Sequence, residues 1–300
     1  MTDVAEIRPS SQLHTWLLAS RPKTLAAAIA PVIIGTAMAH GDGGFAVLPA
    51  LAALWGAIWI QIGTNFANDY FDYSSGVDEG ERLGPLRVTQ AGLVSPSTMK
   101  RATALAFGLA FAAGIYLVWR GGWPIVAVGL CSILFGLMYT GGPYPLGYHG
   151  WGDIFVLIFF GPVAVAGTYY VQTLQVDWRP VIAGLAPGLF SVAILTVNNL
   201  RDIDTDRAAG KKTLPARFGH DFARLEFLLC VIAGSGVPAL MWATGQAPAW
   251  SMLTLAVPIL AAPAIRDVFS KSGRILNSTL ATTGQLLLVY SILFSVGWLL

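Results

Sequence analysis

The stretch Ala46 to Asp72, AVLPALAALWGAIWIQIGTNFANDYFD, decides how the rest of the chain is read. It opens as a long uncharged run, and a bilayer core asks for about 20 mostly apolar residues per helix. Gln61, Asn65, Asn68, Asp69 and Asp72 then recur at steps of three and four, which lines them along one helical face. A greasy helix ending in a stripe of amides and carboxylates reads as a membrane helix with a polar site at its end.

Outward from that stretch, apolar runs recur along the whole chain. They cover Thr24 to Ala39, Ala46 to Phe66, Ala102 to Trp119, Trp123 to Tyr139, Ile154 to Val171, Pro180 to Val197, Leu225 to Ala243, Trp250 to Ile265 and Ser278 to Leu300. The composition agrees: 55% of the 300 residues are hydrophobic and 11% charged, against about 25% charged in a typical soluble domain. Too few charges remain to cover a soluble surface, so a water-soluble globule, a disordered chain and a nucleic-acid binder are all excluded. The runs do not alternate, which argues against a β-barrel. The fold class is therefore an all-α polytopic membrane protein with nine transmembrane helices. Ala37-Met38-Ala39 looks like a signal-peptidase site, but eight further runs follow it, and it is read as part of the first helix. Cys131 and Cys230 both sit in apolar runs and read as small buried hydrophobes rather than disulfide partners or metal ligands.

Orientation follows from the basic residues. Sixteen of the eighteen Lys and Arg fall on one side of a nine-span topology, and only Arg120 and Arg179 fall on the other. This puts the N-terminus in the cytoplasm and the C-terminus outside. It predicts a cytoplasmic arm over residues 1–23 and one transmembrane domain over 24–300, with the polar site facing the cytoplasm.

The acids cluster on that same side. Asp69, Asp72, Asp78, Glu79 and Glu81 follow the second run; Asp202, Asp204, Asp206, Asp221 and Glu226 follow or flank the sixth. Carboxylates at membrane helix ends are costly unless they serve a function. Asn198, Asp202 and Asp206 share one helical face, and the pair Asn198/Asp202 repeats the spacing of Asn68/Asp72 at an offset of 130 residues, as an internal duplication would. Two facing carboxylate clusters can hold Mg²⁺, which is usually bound by one or two carboxylates plus substrate phosphates. Arg82, Arg87, Arg201, Lys211 and Lys212 stand nearby to meet the remaining phosphate oxygens. Asp78, Glu79 and Glu81 taken singly read as solvated loop charges.

Asn68-Asp69-Tyr70-Phe71-Asp72 with Asp78, and Asp202-Ile203-Asp204-Thr205-Asp206, resemble the two aspartate motifs of the UbiA-type intramembrane aromatic prenyltransferases. Within that superfamily the chain resembles the branch acting on 1,4-dihydroxy-2-naphthoate. Four stretches carry this: Arg21 to Leu25, Gly84 to Gly92, Tyr139 to Tyr148, and Asn199 to Leu214. Two departures from the hydroxybenzoate branch fit the same reading: Gly76 stands where a third aspartate would, and the loop after Tyr139 has no Lys or Arg.

The resemblance implies Mg²⁺-assisted ionisation of a polyprenyl diphosphate, attack by the naphthoate ring, and loss of diphosphate and CO₂ to give demethylmenaquinone. It implies two Mg²⁺ ions on Asn68, Asp69, Asp72, Asp202 and Asp206, with Asp72, Asp202 and Asp206 catalytic. Lys211, Lys212, Arg201 and Arg87 would bind the diphosphate. Arg21, Lys23, Asn65, Asn198, Tyr139, Tyr144 and Tyr148 are candidates for the acceptor pocket, and Asp78 for an accessory role. Two alternatives are a prenyltransferase with a hydroxybenzoate, homogentisate or tetrapyrrole acceptor, and, from another class, an ion or organic-ion transporter.

Overall fold

The computed structural model describes residues 11–76 and 83–300, and Asp78, Glu79, Glu81 and Arg82 lie outside them. Among the described residues every regular element is helical. In chain order they are α1 (Gln12–Ser20), α2 (Leu25–Gly41), α3 (Val47–Ser74), α4 (Pro96–Gly121), α5 (Trp123–Met138), α6 (Gly152–Ile158), α7 (Ala164–Thr173), α8 (Trp178–Arg201), α9 (Ile203–Ala208), α10 (Leu214–Phe218), α11 (His220–Ala243), α12 (Val257–Leu260), α13 (Ala262–Ser270) and α14 (Leu276–Leu299). Eight segments are long and apolar enough to cross a membrane, and the chain is an integral membrane protein. The run expected over Trp123 to Tyr139 forms a helix of 16 residues, shorter than those eight. At about 1.5 Å per residue it is some 24 Å long.

Burial differs sharply between helices. The most apolar stretch of α8 is 72% buried, whereas those of α3 and α4 are 22% buried. α8 is thus the axis, and the faces of α3 and α4 turned away from it are left for lipid. Phe190 on α8, Phe227 on α11, Ile34 and Met38 on α2, and Tyr290 and Phe294 on α14 are all fully buried in one core.

Glycines let α8 take this position. A Cβ on Gly188 would come within 2.4 Å of the Leu157 carbonyl oxygen, and one on Gly161 within 2.5 Å of the Gly184 oxygen. The hairpin half formed by α6 and α7 therefore lies backbone against backbone on α8. Gly161, just before Pro162, breaks the helix between them with φ −118° and ψ −110°. The expected run at Trp250 to Ile265 is not one α-helix either. It is a 3-10 segment, Ala249–Ala256, followed by α12 and α13. Pro258 and Pro263 lack the N–H a continuous helix needs, and Gly297 of α14 packs against the Trp250 carbonyl. Cys230 is buried as expected, but Cys131 is exposed on α5, facing outward rather than inward.

The described part of the N-terminal arm, from Ser11 onward, is folded onto the bundle. α1 begins at a Ser11 cap whose hydroxyl accepts from the His14 N–H, and Trp16 meets Phe66 of α3 edge-on at 5.5 Å. Asn65 donates to the Ser20 carbonyl at 2.9 Å and to Thr24 Oγ1 at 3.2 Å. Gln61 reaches the same Thr24 oxygen at 3.3 Å. The upper half of the amide stripe on α3 therefore fastens the arm, and between those anchors Arg21 is held at φ 50°.

Candidate active site

The two aspartate stripes both line one polar cavity of about 710 Å³. α3 brings Asn68 and Asp72; the end of α8 with α9 brings Asn198, Asp202 and Asp206. Arg87, Arg201, Lys211, Arg21, Lys23, Tyr139 and Tyr148 line it too. Among the described residues no three carboxylate, imidazole or thiol groups converge into a metal site by themselves. The donors are hard oxygens in two pairs across a cavity edged with bases. That set fits a hard divalent cation completing its shell from a diphosphate.

Each carboxylate has a basic partner. Asp72, almost fully buried, forms an ion pair with Arg87 and accepts a hydrogen bond from the Tyr148 hydroxyl. Asp202 accepts from Arg201 Nε at 2.8 Å, and Arg201 also donates to Asn198 Oδ1 at 2.8 Å and Asn277 Oδ1 at 2.7 Å. Asn277 of α14 in turn donates to the Leu83 carbonyl at 2.8 Å. Asp206 faces Lys211 at 3.7 Å. Burial pushes its carboxyl up to about 6, against the opposing pull of Lys211. Tyr148 spans the cavity: its hydroxyl is on Asp72, while Lys211 lies 4.6 Å over its ring. Burial, reinforced by the neighbouring Asp72, raises that phenol well above the usual tyrosine range.

Several expected site residues do something else. Asp69 does not line the cavity. Its Oδ2 accepts from the Val88 N–H and its Oδ1 from the Thr89 N–H, both at 3.1 Å. It pins the two residues after Arg87 and so presents Arg87 to Asp72. Asn65 works on the arm, as above, and lines only the apolar cavity described next. Lys212 is exposed and outside the cavity; its backbone N–H, not its ammonium, contributes, bonding the Tyr148 carbonyl at 2.7 Å. Tyr144 is exposed and stacks on His149 at 3.8 Å, away from the site. Asp204 is exposed.

Other residues were not anticipated. Thr140 donates to Asn68 Oδ1 at 2.7 Å. Asn277 sits in the first turn of α14, with no motif around it. Behind Tyr139, a buried Asp153 leaves its Oδ1 without a hydrogen-bond partner, and Glu226 accepts from Thr196 at 3.1 Å. A single acid at the head of an apolar run was the only signal for Asp153.

A second cavity of about 610 Å³ adjoins this chamber and is lined mostly by apolar side chains. Arg21, Thr24, Asn68, Tyr139, Leu195, Asn198 and Leu280 border both, so the two spaces meet there. Phe135, Phe155 and Phe159 cluster in the apolar chamber, with ring centroids 4.6 and 5.2 Å apart. Phe111, Ile115 and Leu130 line it while remaining exposed on the outer surface of the bundle.

Residues 28–278 match the UbiA prenyltransferase family. The chain belongs to that family. Two of its UbiA relatives carry the name 1,4-dihydroxy-2-naphthoate octaprenyltransferase. The one from Haemophilus influenzae is 35% identical, over 97% of each chain. The one from Mycobacterium tuberculosis is 39% identical, over 92% of this chain and 94% of its own. The UbiA fold is also that of solved structures. A homologue from Archaeoglobus fulgidus aligns with TM-score 0.65 at 14% identity, covering 94% of this chain and 99% of that one. The same homologue has been solved with GPP and Mg²⁺, aligning at TM-score 0.61.

Proposed function

We propose that this chain transfers a polyprenyl group from a polyprenyl diphosphate to 1,4-dihydroxy-2-naphthoate, releasing diphosphate and CO₂, on the way to menaquinone. The observation that carries the reading is the paired chamber: a polar cavity holding both aspartate motifs and their bases, opening at Tyr139 into an apolar one. The relatives named above supply the acceptor.

Asn68 and Asp72 on one wall, and Asp202 and Asp206 on the other, would hold Mg²⁺, in two ions. Mg²⁺ supplies charge neutralisation of the leaving diphosphate. The chain's own residues do the rest. Lys211 and Arg87 meet diphosphate oxygens. Arg201, already bonded to Asn198, Asp202 and Asn277, orients the second motif. The isoprenoid tail lies in the apolar cavity, whose exposed rim at Phe111, Ile115 and Leu130 leads to lipid. Breaking the allylic C–O bond leaves a cation near Tyr139 and the Phe135 cluster, whose ring faces stabilise positive charge and whose packing excludes water. The ring carbon bearing the carboxylate forms the new C–C bond; the C–CO₂ bond then breaks and its electron pair restores the aromatic ring.

The proposed topology has α5 as the ninth span. The arm and the site are cytoplasmic, because sixteen of eighteen basic residues fall on that side, and the membrane is a bacterial inner membrane, as the bacterial relatives suggest. Residues 24–300 form one catalytic domain.

The test is a product assay on detergent-purified protein with Mg²⁺ and a polyprenyl diphosphate. Offered 1,4-dihydroxy-2-naphthoate, it forms an adduct whose mass lacks CO₂. Prenylation of 4-hydroxybenzoate instead would overturn the acceptor while leaving the family reaction.

A further inference from the structure

A closed circuit of contacts links the two motifs, made of residues that line the polar cavity. Asp72 pairs with Arg87 and accepts from Tyr148. On one side the path runs from Tyr148 to Lys211, 4.6 Å over its ring, and on to Asp206 at 3.7 Å. On the other it runs from Arg87 back along its loop to Leu83, whose carbonyl accepts from Asn277 Nδ2 at 2.8 Å. Asn277 Oδ1 accepts from Arg201 Nη1 at 2.7 Å, and Arg201 reaches Asp202. The Asp206 N–H, bonded to the Asp202 carbonyl at 2.8 Å, closes the circuit.

Asn277 is the link that belongs to neither motif. It stands 194 positions after Leu83 and 76 after Arg201. An amide carries a donor and an acceptor without a net charge, and here each serves a different motif: the oxygen holds the second motif's arginine, the nitrogen the first motif's loop. Residues 83–95 form no regular element, so contacts to the helices place them. Gly84 sits so close to Arg201 that a Cβ there would lie 2.6 Å from Nη2. Three residues further on Arg87 meets Asp72, and the next two N–H groups sit on Asp69. The segment from Leu83 to Thr89 is thus fastened to α3 at one end, and to α14 and α8 at the other.

We propose that Asn277 is a positioning residue for the diphosphate. It ties the loop carrying Arg87 to the arginine of the second motif, so that the Arg87 guanidinium and the Asp202 and Asp206 carboxylates keep one spacing. Asn277 acts through these two partners. A diphosphate has to meet groups from both motifs at once, and charge-assisted hydrogen bonds are short and directional. A loop displaced by about 1 Å therefore loses contacts that the charge alone does not restore. The inference rests on the diphosphate reading of the site.

The test is a double-mutant cycle read by calorimetry, as binding of farnesyl thiodiphosphate to purified protein in saturating Mg²⁺. Asn277→Ala weakens binding about tenfold, the scale of one hydrogen bond to a charged group. In an Arg87→Gln background the same change costs no more than about twofold, because the loop it places no longer carries the guanidinium. In a Lys211→Gln background it still costs about tenfold. A merely structural role would weaken binding equally in every background, since independent effects add. Equal losses with and without Arg87 overturn the inference. Asn277→Ser and Arg87→Lys, milder changes at the same two places, run the cycle if the first pair does not fold. If wild-type protein binds no thiodiphosphate in Mg²⁺, the diphosphate reading itself falls, and this inference with it.

Discussion

The ends of α3 and α8 carry the same Asn/Asp spacing, yet they are built differently. At α8 the motif is self-contained. Asn198, Arg201 and Asp202 lie within one helical turn and bond to one another, and a single residue from outside, Asn277, locks the group. At α3 the motif is completed from afar. Asp72 takes its partners from a loop at Arg87 and another at Tyr148, and Asp69 spends both oxygens holding the first of those loops. Over their apolar stretches α8 is the more buried helix, but at the motif ends the order reverses: Asn68, Asp69 and Asp72 are buried, whereas Asn198 and Asp202 are half-buried. One half is built largely within a single helix end; the other is assembled from separate segments.

Substitutions can break this contrast. The largest effect is expected at the carboxylates: Asp72→Asn and Asp202→Asn should each lower kcat by ~10²–10³-fold or more, the scale for removing a main electrostatic group, with expression intact. Next comes Arg→Lys at the two bases. Arg201→Lys forfeits a fork shared by three side chains and should lower thermal stability by about 3 kcal/mol, as breaking a buried pair does. Arg87→Lys keeps a mobile point charge and should move the unfolding midpoint much less. Equal losses at both would erase the distinction between the walls. Gly84→Ala should push on Arg201 and cost about 1–3 kcal/mol, whereas Gly92→Ala, at φ +70° with open space around it, should cost about 1 kcal/mol from backbone strain alone. Smallest of all, Lys212→Gln and Tyr144→Phe should leave kcat/KM within about twofold, as surface changes do, although both residues lie in loops rich in site residues.

The same contrast explains what could be read from the sequence. The helices were legible because lipid imposes length and apolarity on each run; the outlines of α2 and α14 follow directly, whereas α3 runs on past Phe66 to Ser74 and carries the polar stripe with it. The break at Trp250 to Ile265 was hidden, because an apolar run looks alike whether α or 3-10; Pro258 and Pro263 were the available hints. The second motif was legible in its membership, since Asn198, Asp202 and Asp206 all line the cavity, but not in its register: the helix breaks at Asp202, with φ −105° and ψ 11°, and Asp206 belongs to α9. The assembled one was only half legible. Register put Asp69 with the metal ligands, but a carboxylate's role depends on which donors reach it, and its donors, Val88 and Thr89, come from a turn some twenty residues further on. Likewise three tyrosines in one loop were indistinguishable by spacing. The fold sends Tyr148 to Asp72, sets Tyr139 where the two cavities join and leaves Tyr144 outside.

The central claim is that both walls act on one diphosphate. It is tested most directly by the anomalous scattering of Mn²⁺ in crystals grown with farnesyl thiodiphosphate. The account predicts density for one ion beside Asn68 and Asp72, density for a second beside Asp202 and Asp206, and the diphosphate between them with its tail in the apolar cavity. Metal confined to a single wall, or a diphosphate outside the polar cavity, would contradict it.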